Sequence, residues 1–400
     1  MQIVQKPFVS IVIPVYNGSN YLREAIDSAL NQTYEKCEVI VVNDGSTDDG
    51  ATDAIARSYG NRIRYFKKDN GGVATAVNLG IKNMRGEYFA WLSHDDMFLP
   101  DKIEKQVLRI IEEGANNAIV HGNLEYLYVE SGKKVKINWE SEYCKELLES
   151  GAFAPVFLCI QGSTVLIHRS HFERVGMYDE SLMTTQDSEF LFRAMRGQKS
   201  IFVEDTLVIS RIHNQQGQRT IECHRDEFNE MFMRFCEELN DREKIEMCGS
   251  VRNFYFRLYC FLKYSRQADK IVEYLKNKFN DTQVNRVTEG LDEVKNRLNG
   301  SLYIFGAGHY GKEMYETLNA FDISVEGFID NYSDNWGKEI LGKHCYKLSD
   351  LNNSVKVIVA MADPLEVVRQ CQQYGMTKIF TSGEVKQMCW KNEPSLINFL

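Results

Sequence analysis

The sequence predicts an α/β protein with a doubly wound, mostly parallel sheet in its N-terminal half, a helical connector, and a second, smaller Rossmann-like α/β domain. Three observations lead to this prediction. Apolar strands alternate with amphipathic helices from residue 8 onward, and a second strand–helix–strand series opens after Asn299 and Gly300. At 400 residues the chain also exceeds the usual size of one hydrophobic core, so two or more domains are expected.

The N-terminal half begins with a continuous apolar run, Phe8 to Ile13, which is typical of a parallel strand buried on both faces. An amphipathic helix follows it. A second buried strand over residues 38–42 then leads through the polar turn 43–49 into another helix. Further strands are predicted at 63–66, 88–92, 118–121, 164–168 and 207–212, and further helices at 74–83, 100–113 and 186–195.

The C-terminal half is predicted to contain two parts. Residues 222–299 are rich in charge, with apolar residues three and four apart, which predicts connecting helices. After them, SLYIFGAGHYG, KVIVAMAD, PLEVVRQCQQYG and KIFTS predict strands and helices in alternation, with a helix at 312–320. Domains are therefore expected at 1–221, 222–299 and 300–400.

Composition and charge disfavour several classes of protein. A net charge of -9 gives no electrostatic reason to expect a nucleic-acid partner. No apolar run approaches the roughly 20 residues of a membrane-spanning helix, and Lys6 and Pro7 interrupt the N-terminus where a secretion signal would have its core. The ten cysteines are scattered singly and lack the spacing of metal ligands, which is typical of cysteines that remain reduced thiols. A cytoplasmic protein is expected, with peripheral contact at the inner face of the membrane and oligomerisation left open.

Acidic residues follow two predicted strands, where an open α/β sheet binds its ligand. Asp44 precedes Gly45, and its carboxylate either accepts hydrogen bonds from a base or ribose or forms an Asx turn. Adjacent Asp95 and Asp96 follow YFAWL, and their mutual repulsion calls for a cation or for neighbouring donors. Magnesium and manganese take such carboxylates together with phosphate oxygens and water. A divalent metal is therefore predicted here, and an ordinary loop before the helix at Pro100 is the alternative.

Further polar candidates follow in two segments of the chain, 187–189 and 211–219. Asp187 begins the helix QDSEFLFRAMR and is the first candidate for a catalytic carboxylate, with Glu189 as the second. The alternative is that Asp187 is there only because the helix dipole favours an acid at this position. His213 follows a strand, and its imidazole either completes a metal shell, binds a diphosphate, or packs. Arg211 and Arg219 either pair with phosphate or belong to a solvated loop.

Five segments, in this order and spacing, resemble family 2 glycosyltransferases with the GT-A fold: SIVIPVYNGSNYLREAIDSALNQTY, VIVVNDGSTDD, NGGVATAVNLGI, GEYFAWLSHDD and QDSEFLFRAMR. The resemblance covers about residues 7–215. It implies inverting transfer of a sugar from a nucleotide-diphosphate-sugar, in many relatives a UDP-sugar, to an acceptor hydroxyl, with Mn²⁺ or Mg²⁺ on the diphosphate. The implied acceptor is a glycan or a lipid-linked sugar in bacterial-type surface polysaccharide or glycolipid synthesis.

The resemblance also implies roles for individual residues. Donor-binding roles fall on Pro14, Tyr16, Asp44, Asn70, Gly72, Asn78 and Asp95. Asp96 would hold the metal, with His213 beside it as in some relatives, and Asp187 would be the general base that takes the proton of the acceptor hydroxyl. Gly162 lies where a sugar would pass. Many relatives have an acid in place of Ser93, so metal coordination rests on Asp95 and Asp96.

The second domain carries a possible nucleotide loop of its own. Gly306, Gly308 and Gly311 form GxGxxG between a strand and a helix, and Asp330 ends the next strand, where a ribose-binding acid is expected. The domain resembles small Rossmann-like domains attached to sugar-modifying bacterial enzymes, which bind a nucleotide-sugar or assist assembly. The alternative is that the glycines only allow tight turns.

Two other functions compete with glycosyl transfer. A sugar-nucleotide pyrophosphorylase requires a basic glycine-rich loop after the first strand, whereas this chain has PVYNGSNY. A catalytically weak, nucleotide-sugar-binding regulatory protein is the other alternative, and the presence of Asp44, Asp95, Asp96 and Asp187 together argues against it.

Overall fold

The structure is a computed structural model that describes residues 6–281 and 291–391. Within these residues, 6–137 and 148–231 form one compact unit, and 138–147 joins 232–281 and 291–391 in a second. The connecting helices therefore group with the C-terminal sheet. The three-part division at 221 and 299 stays a prediction, and residues 282–290 of the predicted connector lie outside the described residues.

The first unit is built on one large sheet. Its strands are β1 (Val9–Val15), β2 (Cys37–Asp44), β3 (Arg64–Lys68), β4 (Tyr88–Trp91), β5 (Met97–Phe98), β6 (Ile119–Tyr128), β7 (Lys134–Ile137), β8 (Leu166–His168) and β9 (Ile201–Ile212). They lie in the order β3-β2-β1-β4-β8-β6-β9-β5, and β7 pairs with β6. Strands β1 to β4 pair in parallel, as do β6 and β9, whereas β8, β5 and β7 pair antiparallel.

Helices lie between these strands along the chain, and the longer ones bury one apolar face. Along this part of the chain they are α1 (Leu22–Leu30), α2 (Ala51–Ser58), α3 (Val73–Asn83), α4 (Lys102–Glu113), α5 (Lys145–Leu148), α6 (Phe153–Val156), α7 (Ser170–Val175), α8 (Gln186–Met195) and α9 (Gly217–Thr220). In α1, for example, Leu22, Ala25 and Ile26 are buried, and full burial of a leucine or isoleucine side chain contributes about 1.5–3 kcal/mol. Every residue of β1 is buried, as a central parallel strand requires.

The predicted α/β class is confirmed, with differences at element ends. The strand predicted at 118–121 extends through β6 to Tyr128, and the one predicted at 207–212 begins at Ile201. The strand predicted at 164–168 starts only at Leu166, because residues 162–164 form a turn of 3-10 helix. That turn lies at the functional edge of the sheet.

The second unit combines helices with a Rossmann-like sheet. The helices that lead into it are α10 (His224–Glu238), α11 (Asp241–Cys248), α12 (Val251–Leu262), α13 (Asp269–Asp281) and α14 (Leu291–Leu298). The chain then forms β10 (Leu302–Phe305), α15 (His309–Ala320), β11 (Gly327–Ile329), β12 (Glu339–Ile340), β13 (Lys343–Tyr346), β14 (Lys356–Val359), α16 (Leu365–Gln373), β15 (Lys378–Thr381) and α17 (Ser382–Lys391). The sheet order is β12-β13-β11-β10-β14-β15, parallel except for β12.

Alternate residues of this second sheet enter two different cores, so both of its faces are covered. Ile304 and Ile358 belong to one cluster, and their neighbours Phe305 and Val357 belong to the other. The helix predicted at 312–320 begins earlier, at His309, directly after the glycine turn. In the part of the chain that the structure describes, no helix is both long enough and apolar enough to cross a bilayer.

Candidate active site

The turns after β1 and β2 are held together by hydrogen bonds. The Asn17 backbone N–H donates to Ser46 Oγ at 2.9 Å, and the Thr47 backbone N–H donates to Asn17 Oδ1 at 2.7 Å. Of the two donor-binding candidates beside this junction, Pro14 is buried in β1 and Tyr16 is 44% exposed. The exposed ring of Tyr16 is thus available to a ligand at the carboxyl edge of the sheet.

Asp44, at the end of β2, organises the turn after β3. Its carboxylate is buried and accepts hydrogen bonds from Lys68 Nζ at 2.6 Å and from the backbone N–H groups of Gly71 and Gly72 at 3.1 and 2.8 Å. Both carboxylate oxygens are therefore engaged by the protein, whereas Asn70 in the same turn is exposed. These contacts favour a positioning role for Asp44. The exposed side chain of Asn70 remains accessible to a ligand.

Gly45→Ala should destabilise the protein by disturbing the turn that contains Asn70. Gly45 has φ +69°, and a Cβ there would lie 2.5 Å from the backbone nitrogen of Asn70, so alanine suffers both strain and a clash. We expect a loss of more than about 1 kcal/mol in the free energy of unfolding, measured by urea denaturation. Gly114→Ala is the control, because Gly114 has φ +63° with no atom within 4 Å of the added Cβ. Equal effects of the two substitutions would contradict the packing of Gly45 on Asn70.

Asn78 lies on α3 and is buried with its whole amide group in use. Its Nδ2 donates to Tyr178 O and to Glu180 Oε1, both at 2.9 Å, and its Oδ1 accepts from the Tyr178 backbone N–H at 3.1 Å. The sequence predicted direct donor binding by Asn78. The hydrogen bonds instead favour a positioning role, in which Asn78 fixes the segment before α8 against the donor side of the sheet.

The acid pair after β4 consists of two carboxylates in different surroundings. Asp96 is buried, and its oxygens accept hydrogen bonds from Ser163 Oγ at 3.1 Å and from the Arg211 backbone N–H at 3.0 Å. Asp95 is partly exposed and lies 3.0 Å from His213, Oδ2 to Nε2. Burial and the charge of Asp95 raise the pKa of Asp96 well above its ordinary value. Burial also acts to raise the pKa of Asp95, but the His213 hydrogen bond and the His94 charge outweigh it and lower that pKa.

Arg211 holds the turn that contains Asp95 and Asp96 in place. Its guanidinium donates to the Asp95 carbonyl at 2.7 Å and to Glu24 Oε2 at 2.6 Å, and it lies over the Tyr21 ring, 4.7 Å from the centroid. Because the Arg211 guanidinium is buried in these contacts, they favour a structural role over the phosphate pairing that the sequence left open. Arg219 is exposed and contacts Asn214.

Asp187, in the first turn of α8, lies next to the Gly162–Ser163 turn. A Cβ on Gly162 would be 3.5 Å from Asp187 Oδ2, and the adjacent Ser163 donates to Asp96. This turn therefore brings Asp187 and Asp96 to one place. Burial raises the pKa of Asp187, which suits a carboxylate that must take up a proton. The second candidate, Glu189, is buried in an ion pair with Arg193 (Oε1 to Nε, 2.6 Å).

Several residues that complete this site were missed by sequence reasoning. Ser163 contacts Asp96, the Tyr21 ring lies 5.4 Å from the His213 ring, and His94 packs directly against Gly18. A serine in a QGST turn or a tyrosine before a helix carries no local signal of a site. Their roles depend on which strands become neighbours.

The acid pair offers carboxylate oxygens, which are the ligands that a divalent cation such as Mg²⁺ takes. Among residues 6–281 and 291–391, no group of three or more His, Cys, Asp or Glu side chains is arranged to hold a metal ion. Asp95 and His213 nevertheless form a close carboxylate–imidazole pair with partly accessible atoms. Magnesium commonly uses one or two carboxylates and completes its shell with substrate phosphates and water, so the pair fits a cation that arrives with a diphosphate.

In the second unit, the glycine turn is tied to Asp330. Gly311 packs on the carbonyl oxygen of Gly306, and Gly308 directly precedes α15. The Asp330 carboxylate accepts hydrogen bonds from the backbone N–H groups of Ala307 and Tyr332, at 2.9 and 2.8 Å. Asp330 thus braces the turn, and nucleotide binding by these residues stays a prediction.

Comparisons with known proteins bear on both units. The family model of Glycosyl transferase family 2 matches residues 10–176, and that of the PglD N-terminal domain matches residues 301–370. An uncharacterized glycosyltransferase of Rickettsia felis is 42% identical over 335 residues, which cover 82% of this chain and 54% of the relative. One of Rickettsia prowazekii is 42% identical over 262 residues, which cover 66% of this chain and 82% of the relative.

A solved structure matches the fold. The crystal structure of Staphylococcus aureus TarS 1-349 in complex with UDP-GlcNAc aligns with a TM-score of 0.52 and 18% sequence identity, over 80% of this chain and 84% of that one. At that identity the likeness shows the fold alone, which is the predicted GT-A type. The chain spans about half or less of the length of three Rickettsia relatives: 54%, 37% and 50%.

Proposed function

The chain belongs to glycosyl transferase family 2, and from this premise we propose that it transfers a sugar from a nucleotide-diphosphate-sugar to an acceptor hydroxyl with inversion. The observation that supports this most directly is the meeting of the acid pair and Asp187 at the Gly162–Ser163 turn. A donor diphosphate beside Asp95 would place its sugar near Gly162. An acceptor hydroxyl could then approach the same carbon from the side of Asp187.

Asp187 is proposed as the general base. The acceptor oxygen forms a bond to the anomeric carbon as the bond to the diphosphate breaks, and the hydroxyl proton passes to Asp187 Oδ2. The raised pKa of Asp187 makes its carboxylate a stronger proton acceptor than an ordinary aspartate. Attack opposite the leaving group inverts the configuration at the anomeric carbon.

We further propose that the roles predicted for Asp95 and Asp96 are exchanged. Asp95 is partly exposed beside His213, whereas Asp96 is buried and its oxygens accept hydrogen bonds from Ser163 and Arg211. Asp95 and His213 would therefore hold the Mn²⁺ or Mg²⁺ ion, and Asp96 would fix the turn. Such an ion, when bound, stabilises the negative charge that develops on the departing diphosphate.

Asp95→Ala should abolish the manganese-dependent part of UDP binding, because it removes the carboxylate of the proposed Asp95–His213 metal pair. Calorimetric titration with UDP, with and without Mn²⁺, would measure this. Asp96→Asn preserves the shape of the buried side chain and should retain more of the Mn²⁺ effect than Asp95→Ala. The opposite order would restore Asp96 as the metal ligand.

The proposed function is tested by incubating the purified chain with a panel of UDP- and GDP-sugars, with and without Mn²⁺. UDP-GlcNAc, which TarS binds, is the first probe, and glycan and lipid-linked sugars are the acceptors. Metal-dependent release of the nucleoside diphosphate is the expected result. Tight binding without turnover would instead support the regulatory alternative. We also propose that the acceptor belongs to surface polysaccharide or glycolipid synthesis. The transfer would then take place at the inner face of the membrane.

A further inference from the structure

Glu227, near the start of α10, holds three consecutive residues of the segment before α8. Its Oε1 accepts a hydrogen bond from the Met183 backbone N–H at 2.8 Å. Its Oε2 accepts from the backbone N–H of Thr184 at 2.9 Å and from the hydroxyl of the same residue at 2.8 Å. The Thr185 hydroxyl is 3.4 Å from the same oxygen. Burial acts to raise the pKa of Glu227, but these donors outweigh it and lower the pKa, so the carboxylate is charged at neutral pH.

The segment that Glu227 holds borders both halves of the proposed centre. Asp187 follows Thr185 by two residues, in the first turn of α8. At the other end, Met183 is 44% exposed, and its Sδ would lie 3.9 Å from a Cβ on Gly72, in the donor turn organised by Asp44. A shift of residues 183–185 would therefore displace the base and one wall of the donor turn together.

His224, one turn earlier on α10, adds a second contact to the same segment. Its Nδ1 lies 2.8 Å from Thr184 Oγ1, and the ring is buried. Two side chains of one helix thus converge on Thr184, which is a stronger constraint on the segment than either contact alone.

We propose that Glu227 is a positioning residue of the transfer centre, and that Met183, held by Glu227, forms a wall of the donor subsite. This inference rests on the proposed function. Hydrogen bonds to a charged acceptor are stronger than those to a neutral one, so the segment loses much of its anchoring when the charge is removed. A misplacement of a reacting group by about 1 Å can cost about 100-fold in rate.

The test compares three substitutions in the full chain. Glu227→Gln keeps the side-chain length but removes the charge and replaces one acceptor oxygen with an amide donor, and it should lower kcat about 10- to 100-fold and raise the donor KM. Met183→Ala should raise the donor KM and leave kcat within about twofold, because it removes donor contact without moving the base. Glu230→Gln is the matched control, since Glu230 is exposed on the same helix, and it should behave as wild type.

Hydrogen exchange provides a readout that does not require activity. Glu227→Gln should speed exchange of the Met183 and Thr184 amides while leaving those of β1 and β2 at wild-type rates. Unchanged exchange, or wild-type kcat and KM in Glu227→Gln, would overturn the positioning role, and an unchanged donor KM in Met183→Ala would overturn the donor wall. If Glu227→Gln lowered the thermal stability of the whole chain enough to account for all of the lost activity, the positioning role would also be overturned. A wild-type chain that turns over no nucleotide-sugar would refute the proposed function, while exchange would still decide whether Glu227 holds the segment.

Discussion

Asp187→Asn is expected to lower kcat by about 100- to 10,000-fold, the range that a positioned general base contributes. Asparagine keeps the shape of the side chain and its contact with the Gly162 turn, but it cannot take up the acceptor proton. UDP affinity, measured by calorimetry, should stay within about twofold, because the donor turns do not depend on this carboxylate. Asp205→Asn is the control, since Asp205 is exposed on β9 and pairs with Lys105 at the surface.

The pH dependence of kcat should carry the signature of the same group. A base must be deprotonated, and burial raises the pKa of Asp187, so kcat should fall as the pH drops through a value above the ordinary aspartate pKa of about 3.9. The small residual rate of Asp187→Asn should lack this acidic limb. A variant with wild-type turnover, or with the acidic limb intact, would remove Asp187 from the chemistry.

The gathering of acids at one edge of the sheet could be predicted from the sequence. Strands β1, β2 and β4 are short apolar runs, and parallel strands end on the same side, so Asp44 and the Asp95–Asp96 pair had to lie near one another. The same reasoning predicted the second, Rossmann-like sheet. Both predictions depended on hydrophobic patterns that are local in the chain.

The burial and the hydrogen-bond partners of each acid could not be predicted in the same way. Asp96 is buried because Ser163 and Arg211 lie across from it. The 3-10 turn before β8 and strand β9 bring these two residues there from 67 and 115 positions away. Asn78 likewise meets Tyr178 at a separation of 100 positions. A sequence motif shows which acid follows a strand, but exposure and hydrogen-bond partners decide which acid faces the ligand.

Lys386→Met is expected to destabilise the second unit by about 3–5 kcal/mol, the cost of leaving buried carboxylates without their cation. Lys386 Nζ on α17 lies 2.8 Å from Glu142 Oε2 and 3.3 Å from Glu313 Oε1, and all three side chains are at least 95% buried. Burial acts to lower the pKa of Lys386, but the two carboxylates outweigh it and raise the pKa, so the cation is fully charged at neutral pH. Urea denaturation, with hydrogen exchange of α15 as a local probe, would measure the loss.

The net contribution of the Lys386–Glu142–Glu313 cluster to the free energy of unfolding can be measured separately from the effect of removing Lys386 alone. Lys338→Met, at an exposed position of the same unit, should change stability by less than about 0.5 kcal/mol. Replacing Lys386, Glu142 and Glu313 together with methionine removes the charges and their desolvation cost at once, so the triple variant should recover most of the stability that Lys386→Met loses. If the triple variant were as unstable as the single one, the cluster would be a net source of stability.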